Sequence, residues 1–114
     1  MTDKRLILTT AGSDEEARKI ARALVERQLA ACVNIIPHGT SIYQWQGKLE
    51  EGHEWLLMVK TTQAAFEAVQ KAIRELHSYD LPECISLPIE DGSAEYLSWI
   101  GESVEDTKSE SRKS

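Results

Sequence analysis

A chain of 114 residues, 41% apolar and 28% charged, suits one globular domain with one core. Its net charge of −6 arises in the second half: residues 1–60 hold eight acids and eight bases, residues 61–114 eleven and five. That balance argues against nucleic acid as a partner. No apolar run approaches the ~20 residues of a membrane span, so no membrane partner is expected either.

Met1–Arg5 leads directly into a strand-like run with no signal-peptide core behind it, and a cytoplasmic location is expected. Cys32 and Cys84 each sit in an apolar run and lack a C-x-x-C partner, so both are expected as buried free thiols.

Arg5–Ala11 reads as a buried first strand, broken by Gly12-Ser13. Ser13 and Glu16 have the spacing of a capping box, in which hydroxyl and carboxylate each satisfy the other's backbone N–H. Asp14, Glu15 and Glu16 suit the positive end of a helix. Ala17, Ile20, Ala21, Leu24 and Val25 recur at helical spacing, predicting a helix over Asp14–Gln28. Cys32–Ile36 reads as a second strand, bent or bulged at Pro37-His38-Gly39.

Ser41–Gln46 and His53–Thr61 then alternate with period two, predicting a long hairpin with a turn bounded by Gly47 and Gly52. Large apolar groups fall on both faces of its return leg, so both faces need cover. Nine residues at ~3.3 Å each reach about 30 Å, and such an arm overruns a domain of this size. Tyr43, Trp45 and Trp55 are expected on a face that another copy must cover.

Thr62 can cap a second helix with Phe66, Val69, Ile73 and Leu76 inward, ending near His77 ahead of Pro82. Glu83–Ile89 reads as a strand. Ser93 caps a third helix over Ala94–Val104, with Tyr96, Leu97, Ile100 and Val104 inward and Trp99 outward. Residues 1–104 form the expected single domain, and the polar stretch 105–114 an expected flexible tail. The order β-α-β-β-α-β followed by a helix is the ferredoxin-like pattern of an α+β protein. Right-handed crossovers put both long helices on one face of its sheet and leave the other bare.

Fold alone does not give function. The third strand, His53-Glu54-Trp55-Leu56-Leu57-Met58, lacks the basic-aromatic core of an RNA-recognition module. The first strand-to-helix turn has no cysteine pair for a soft metal, and neither helix follows a glycine-rich phosphate loop. A hydrolase using Cys84 or His77 needs the two close together across a proline-containing turn; the plainer assignment is a buried thiol and a turn imidazole. Lys60 reads as an edge or snorkelling lysine. His77, Tyr79, Asp80 and Glu83 share one loop, where they can hold a cation, bind a small polar ligand, or simply stiffen the turn.

Six blocks occur in order: Leu29-Ala30-Ala31-Cys32-Val33-Asn34; Ser41-x-Tyr43-x-Trp45-x-Gly47-Lys48; Glu54; Lys60-Thr61; His77-x-Tyr79-x-x-Pro82-Glu83; and Tyr96-Leu97-x-Trp99. Together they resemble the CutA family of divalent-cation tolerance proteins, from about Leu6 to Val104. The resemblance implies a ferredoxin-like subunit in a homotrimer similar to the PII signalling proteins, with hairpins paired across subunits. It implies a role in the response to metal ions, copper in particular, and no catalytic reaction. By position, the inter-subunit clefts would be lined by Tyr43, Trp45, Glu54, Lys60, Tyr79 and Trp99, with His77 and Glu83 as candidate ligands for Cu(II) or Zn(II). Some bacterial members resemble a copper site with a cysteine late in the first strand and adjacent histidines after the second helix; Thr9 and Leu76-His77 stand at those places here. The alternatives are an adaptor trimer without a ligand and the small hydrolase.

Overall fold

The computed structural model describes residues 2–104; the tail expected over 105–114 lies outside the described residues. The elements run β1 (Lys4–Ala11), α1 (Asp14–Glu26), β2 (Cys32–Trp45), β3 (Lys48–Thr62), α2 (Phe66–Leu76), β4 (Ile85–Pro88) and α3 (Ala94–Ser103). Every sheet pairing is antiparallel and the strand order is β2-β3-β1-β4, so the α+β, ferredoxin-like expectation holds.

Alternation sorts each strand into two faces. Ile7, Thr9 and Ala11 of β1 and Leu57, Val59 and Thr61 of β3 are fully buried beneath the helices. Ile20 and Leu24 of α1 and Val69 and Ile73 of α2 complete that core. On the other face, α3 lies against the Lys4 and Lys60 end: Lys4 Nζ is 3.3 Å from where a Cβ on Gly101 would sit. The rest of that face carries Leu8, Ile36, Leu56, Met58, Ile85 and Leu87, of which Ile36 and Ile85 remain about half exposed (47% and 48%).

Helix α1 stops two residues early. Gln28 turns left-handed (φ 59°), and Leu29 N–H returns to Leu24 O at 2.9 Å, a helix ending that glycine usually supplies. Helix α2 begins at Phe66 rather than directly after Thr62, because Thr62 Oγ1 accepts from Ala65 N–H and closes the turn that precedes the helix. Strand β4 is shorter than Glu83–Ile89. Tyr96 is exposed, not inward, and packs against Trp99 with ring centroids 5.5 Å apart.

The hairpin differs most. Trp45 pairs with Lys48, so the turn is only Gln46-Gly47, both with positive φ (52° and 79°). Those angles suit a two-residue turn that matches strand twist. Leu49 to Gly52, expected as turn, lie in β3. Between the pairs Ile36–Leu56 and Gly39–Glu54, Pro37 and His38 together oppose Trp55. The extra residue is a β-bulge, with His38 left-handed at φ 64°. It inverts the parity of β2: before it Asn34 and Ile36 share the face of Glu54; beyond it Ser41, Tyr43 and Trp45 do. Trp55 falls on the opposite, helix-covered face against the core, with His38 6.3 Å away, and does not join the bare face as expected.

Candidate functional site

A cleft of about 740 Å³ opens where the arm beyond the bulge meets the loop after α2. Its walls are Thr10, Ser41, Ile42, Tyr43, Trp45, Glu54, Ser78, Tyr79, Asp80, Leu81 and Glu83. Tyr43, Trp45, Glu54, Tyr79 and Glu83 of the expected site therefore converge. The bulge supplies the arm's aromatic rings; the turn from α2 toward β4 supplies Tyr79 and Glu83.

Glu54 joins the two walls. One carboxylate oxygen accepts from Ser41 Oγ and the other from Tyr79 Oη at 3.1 Å. Burial, and next the hydrogen bond to Glu54, push the Tyr79 phenol up to about 12, so it remains a donor throughout the physiological range. Burial, with the nearby Glu54 charge, also raises the Glu83 carboxyl above the ordinary carboxylate range. Gly12 makes room for the tyrosine: a Cβ there would lie 2.9 Å from Tyr79 Oη.

His77 lies beneath the loop with its side chain fully buried. Nε2–H donates to Thr10 O at 2.5 Å, and Nδ1 accepts from Tyr79 N–H at 3.0 Å. Both ring nitrogens are thus engaged with backbone, and the imidazole shapes the loop. Glu16 buttresses it from α1: Oε2 accepts from Ser78 N–H at 3.2 Å, while Oε1 lies 3.5 Å from His77 Nδ1. The capping box is therefore half made. Ser13 Oγ accepts from Glu16 N–H at 3.1 Å, but the Glu16 carboxylate is turned to the site. Helical spacing marked Glu16 as a cap and gave no sign of this second contact.

Lys60 and Trp99 lie elsewhere. Lys60 Nζ donates to Asn34 Oδ1 at 2.5 Å and sits 5.8 Å from the centre of the Tyr96 ring, which in turn packs on Trp99. Among the described residues, no three His, Cys, Asp or Glu side chains converge as a metal centre. With His77 engaged at both nitrogens and Glu54 at both oxygens, these residues do not fit a preformed Cu(II) or Zn(II) site.

Cys32 and Cys84 are free and half-buried. Burial raises the Cys84 thiol despite nearby Arg74, which leaves little thiolate for nucleophilic attack. No helix among the described residues is long and apolar enough to cross a membrane.

Comparison with known proteins agrees with this architecture. The family model of the CutA1 divalent ion tolerance protein matches residues 5–103. A divalent-cation tolerance protein CutA of Thermus thermophilus is 51% identical over 101 residues, covering 89% of this chain and 98% of that one. A CutA homologue of Xenopus laevis is 54% identical over 95 residues; the match covers 83% of this chain but only 63% of the longer frog protein. The solved structure of the Thermus thermophilus divalent cation tolerance protein superposes with a TM-score of 0.88 at 50% identity, over 90% of this chain and 99% of that one. The chain belongs to the CutA1 divalent ion tolerance protein family.

Proposed function

We propose that this CutA protein is a non-catalytic, self-assembling component of the divalent-cation response, which senses a small ligand in the cleft between its arm and the loop after α2. The observation that carries the reading is the convergence of Tyr43, Trp45, Glu54, Tyr79 and Glu83 on one cavity of about 740 Å³, a size suited to a small molecule. Assembly as a homotrimer is supported by the uncovered Ile36, Ile85 and Leu87 face and by the projecting arm. A non-catalytic role is supported by the raised Cys84 thiol and the doubly engaged His77. A cytoplasmic location is supported by the free thiols of Cys32 and Cys84, which persist in a reducing compartment. A small ligand is favoured over a resident metal because the strongest candidate donors already have partners.

Calorimetric titration of the assembled protein with a small-molecule panel, Cu(II) and Zn(II) tests the reading. The expected result is saturable small-molecule binding that Tyr43→Ala weakens. Heat from Cu(II) alone, lost in His77→Ala, would assign the site to a metal. No saturable heat from any probe would leave only the adaptor role.

A further inference from the structure

Side chains, not backbone, hold the loop after α2 to the rest of the chain. Among the described residues, Ser78 to Cys84 neither give nor take a backbone–backbone hydrogen bond. Regular structure anchors both ends: His77 N–H donates to Ile73 O at 3.0 Å, and Ile85 pairs with Leu8. Between these anchors the clips lie at Ser78 and Tyr79. Ser78 N–H donates to Glu16 of α1, Tyr79 N–H to the buried His77 ring, and Tyr79 Oη to Glu54 of β3. Every one of these contacts is made within one chain, so none depends on which face sister copies cover.

The closed position carries a cost. Glu16 Oε1 is buried without a hydrogen-bond partner, 3.5 Å from His77 Nδ1, which already accepts from Tyr79 N–H. Lifting the loop would let water satisfy that oxygen. It would also carry Glu83 away from the Glu54 charge, which together with burial raises the Glu83 carboxyl. A segment with no backbone ladder, few clips and an unmet buried oxygen belongs to the low-stability end of a structure.

We infer that residues 78–84 are a strap that lifts as one piece, hinged at His77 and Ile85, while the sheet and helices stay folded. The strap carries Ser78, Tyr79, Asp80, Leu81 and Glu83 of the cleft wall, so lifting it opens one side of the cavity. Its use as a gate rests on the cleft being the ligand site; the motion itself does not.

Cys84 reports the motion. It ends the strap, five residues beyond Tyr79, and packs against the helix-side core. Cys32, in β2 at the opposite edge of the sheet, is the internal reference. The experiment is labelling of both free thiols by N-ethylmaleimide in the native, full-length, assembled protein at one pH, read by mass spectrometry. Tyr79→Phe keeps the ring and loses the clip to Glu54; it should label Cys84 about fivefold faster and leave Cys32 unchanged. Glu16→Ala should also speed Cys84 alone, and the double variant should multiply the two effects. Thr61→Val removes a buried hydrogen bond to Leu29 O near the far end of β3. That change weakens the whole fold and should leave Cys84 labelling as it is. Failure of either clip variant to speed Cys84 would overturn the strap. So would equal acceleration by Thr61→Val, because the thiol would then be reached only by unfolding of the whole chain. Equal acceleration of Cys32 would overturn it for the same reason. Silence from every probe of the calorimetric panel would sink the ligand-site reading and leave the strap standing.

Discussion

The Tyr79 hydroxyl is held from two sides. Glu54 accepts its hydrogen bond at 3.1 Å, and the bare Cα of Gly12 leaves the space it occupies. In Gly12→Ala the new methyl would meet the tip of a side chain that can swing away, so the fold should lose little. The net loss should stay near the ~1 kcal/mol of one hydrogen bond, while the hydroxyl leaves Glu54. Ultraviolet titration of the three tyrosines checks this: one should titrate at about 12 in the native protein, and that step should move down in Gly12→Ala and in Glu54→Gln. The sign for stability follows. A phenol whose folded value is raised contributes fully below its ordinary value of 10.0, and that contribution is lost as pH rises through about 12.

Glu83 carries the same sign among the acids. Its folded carboxyl holds a proton more tightly than the unfolded one, so ionisation at neutral pH opposes folding. Glu83→Gln should therefore raise the Tm at pH 7, and the gain should vanish as pH falls below the ordinary carboxylate range. Scanning calorimetry across that range measures it; a drop in Tm at pH 7 would refute the assignment.

His77, Tyr79 and Glu83 could be grouped from sequence because seven residues of one loop keep them close. Glu16 could not, since its capping-box spacing offered a local use for the carboxylate and only the packing of α1 beside the loop reveals the other. Lys60 and Glu54 lie six residues apart along one strand, about 20 Å, so the two can line one cleft only where it is shared between copies, as the resemblance implied.

At the scale of elements, the bulge decides where the site forms. Pro37 announced a break in β2, and the break is there. What the sequence left unread is its consequence, that one unmatched residue moves Tyr43 and Trp45 onto the face of Glu54. Deleting His38 should remove the bulge and turn both rings to the other face. Far-UV circular dichroism should be largely retained, while ligand binding at the cleft is lost. Retained binding would show that the parity inversion does not build the site. The arm's length was legible in its alternation, but its turn was not. Gly52 drew the boundary too wide, because a polar Glu50-Glu51 pair reads as loop until its register against Tyr43 and Ile42 is known.

The described residues measure 48 × 32 × 24 Å, elongated beyond what their core requires. The helices cover one face of the sheet and α3 covers one end of the other, leaving apolar side chains at Ile36, Ile85 and Leu87 in water. The projecting arm bears Ile42 and Leu49, the latter 74% exposed. A bare face follows from element order and crossover handedness alone, which is why it was visible from sequence. The identity of the cover was not, because a single chain carries no record of its neighbours beyond the surface left for them. Replacing Ile36 with Asp should place a charge in that contact and break assembly with little effect on the helix-side core.

Sedimentation equilibrium of the intact protein at micromolar concentration tests this account most directly. The proposed homotrimer predicts a mass three times the 12.8 kDa of one chain, falling toward that of a single chain in Ile36→Asp. A stable, fully folded species of 12.8 kDa in the unsubstituted protein would contradict it.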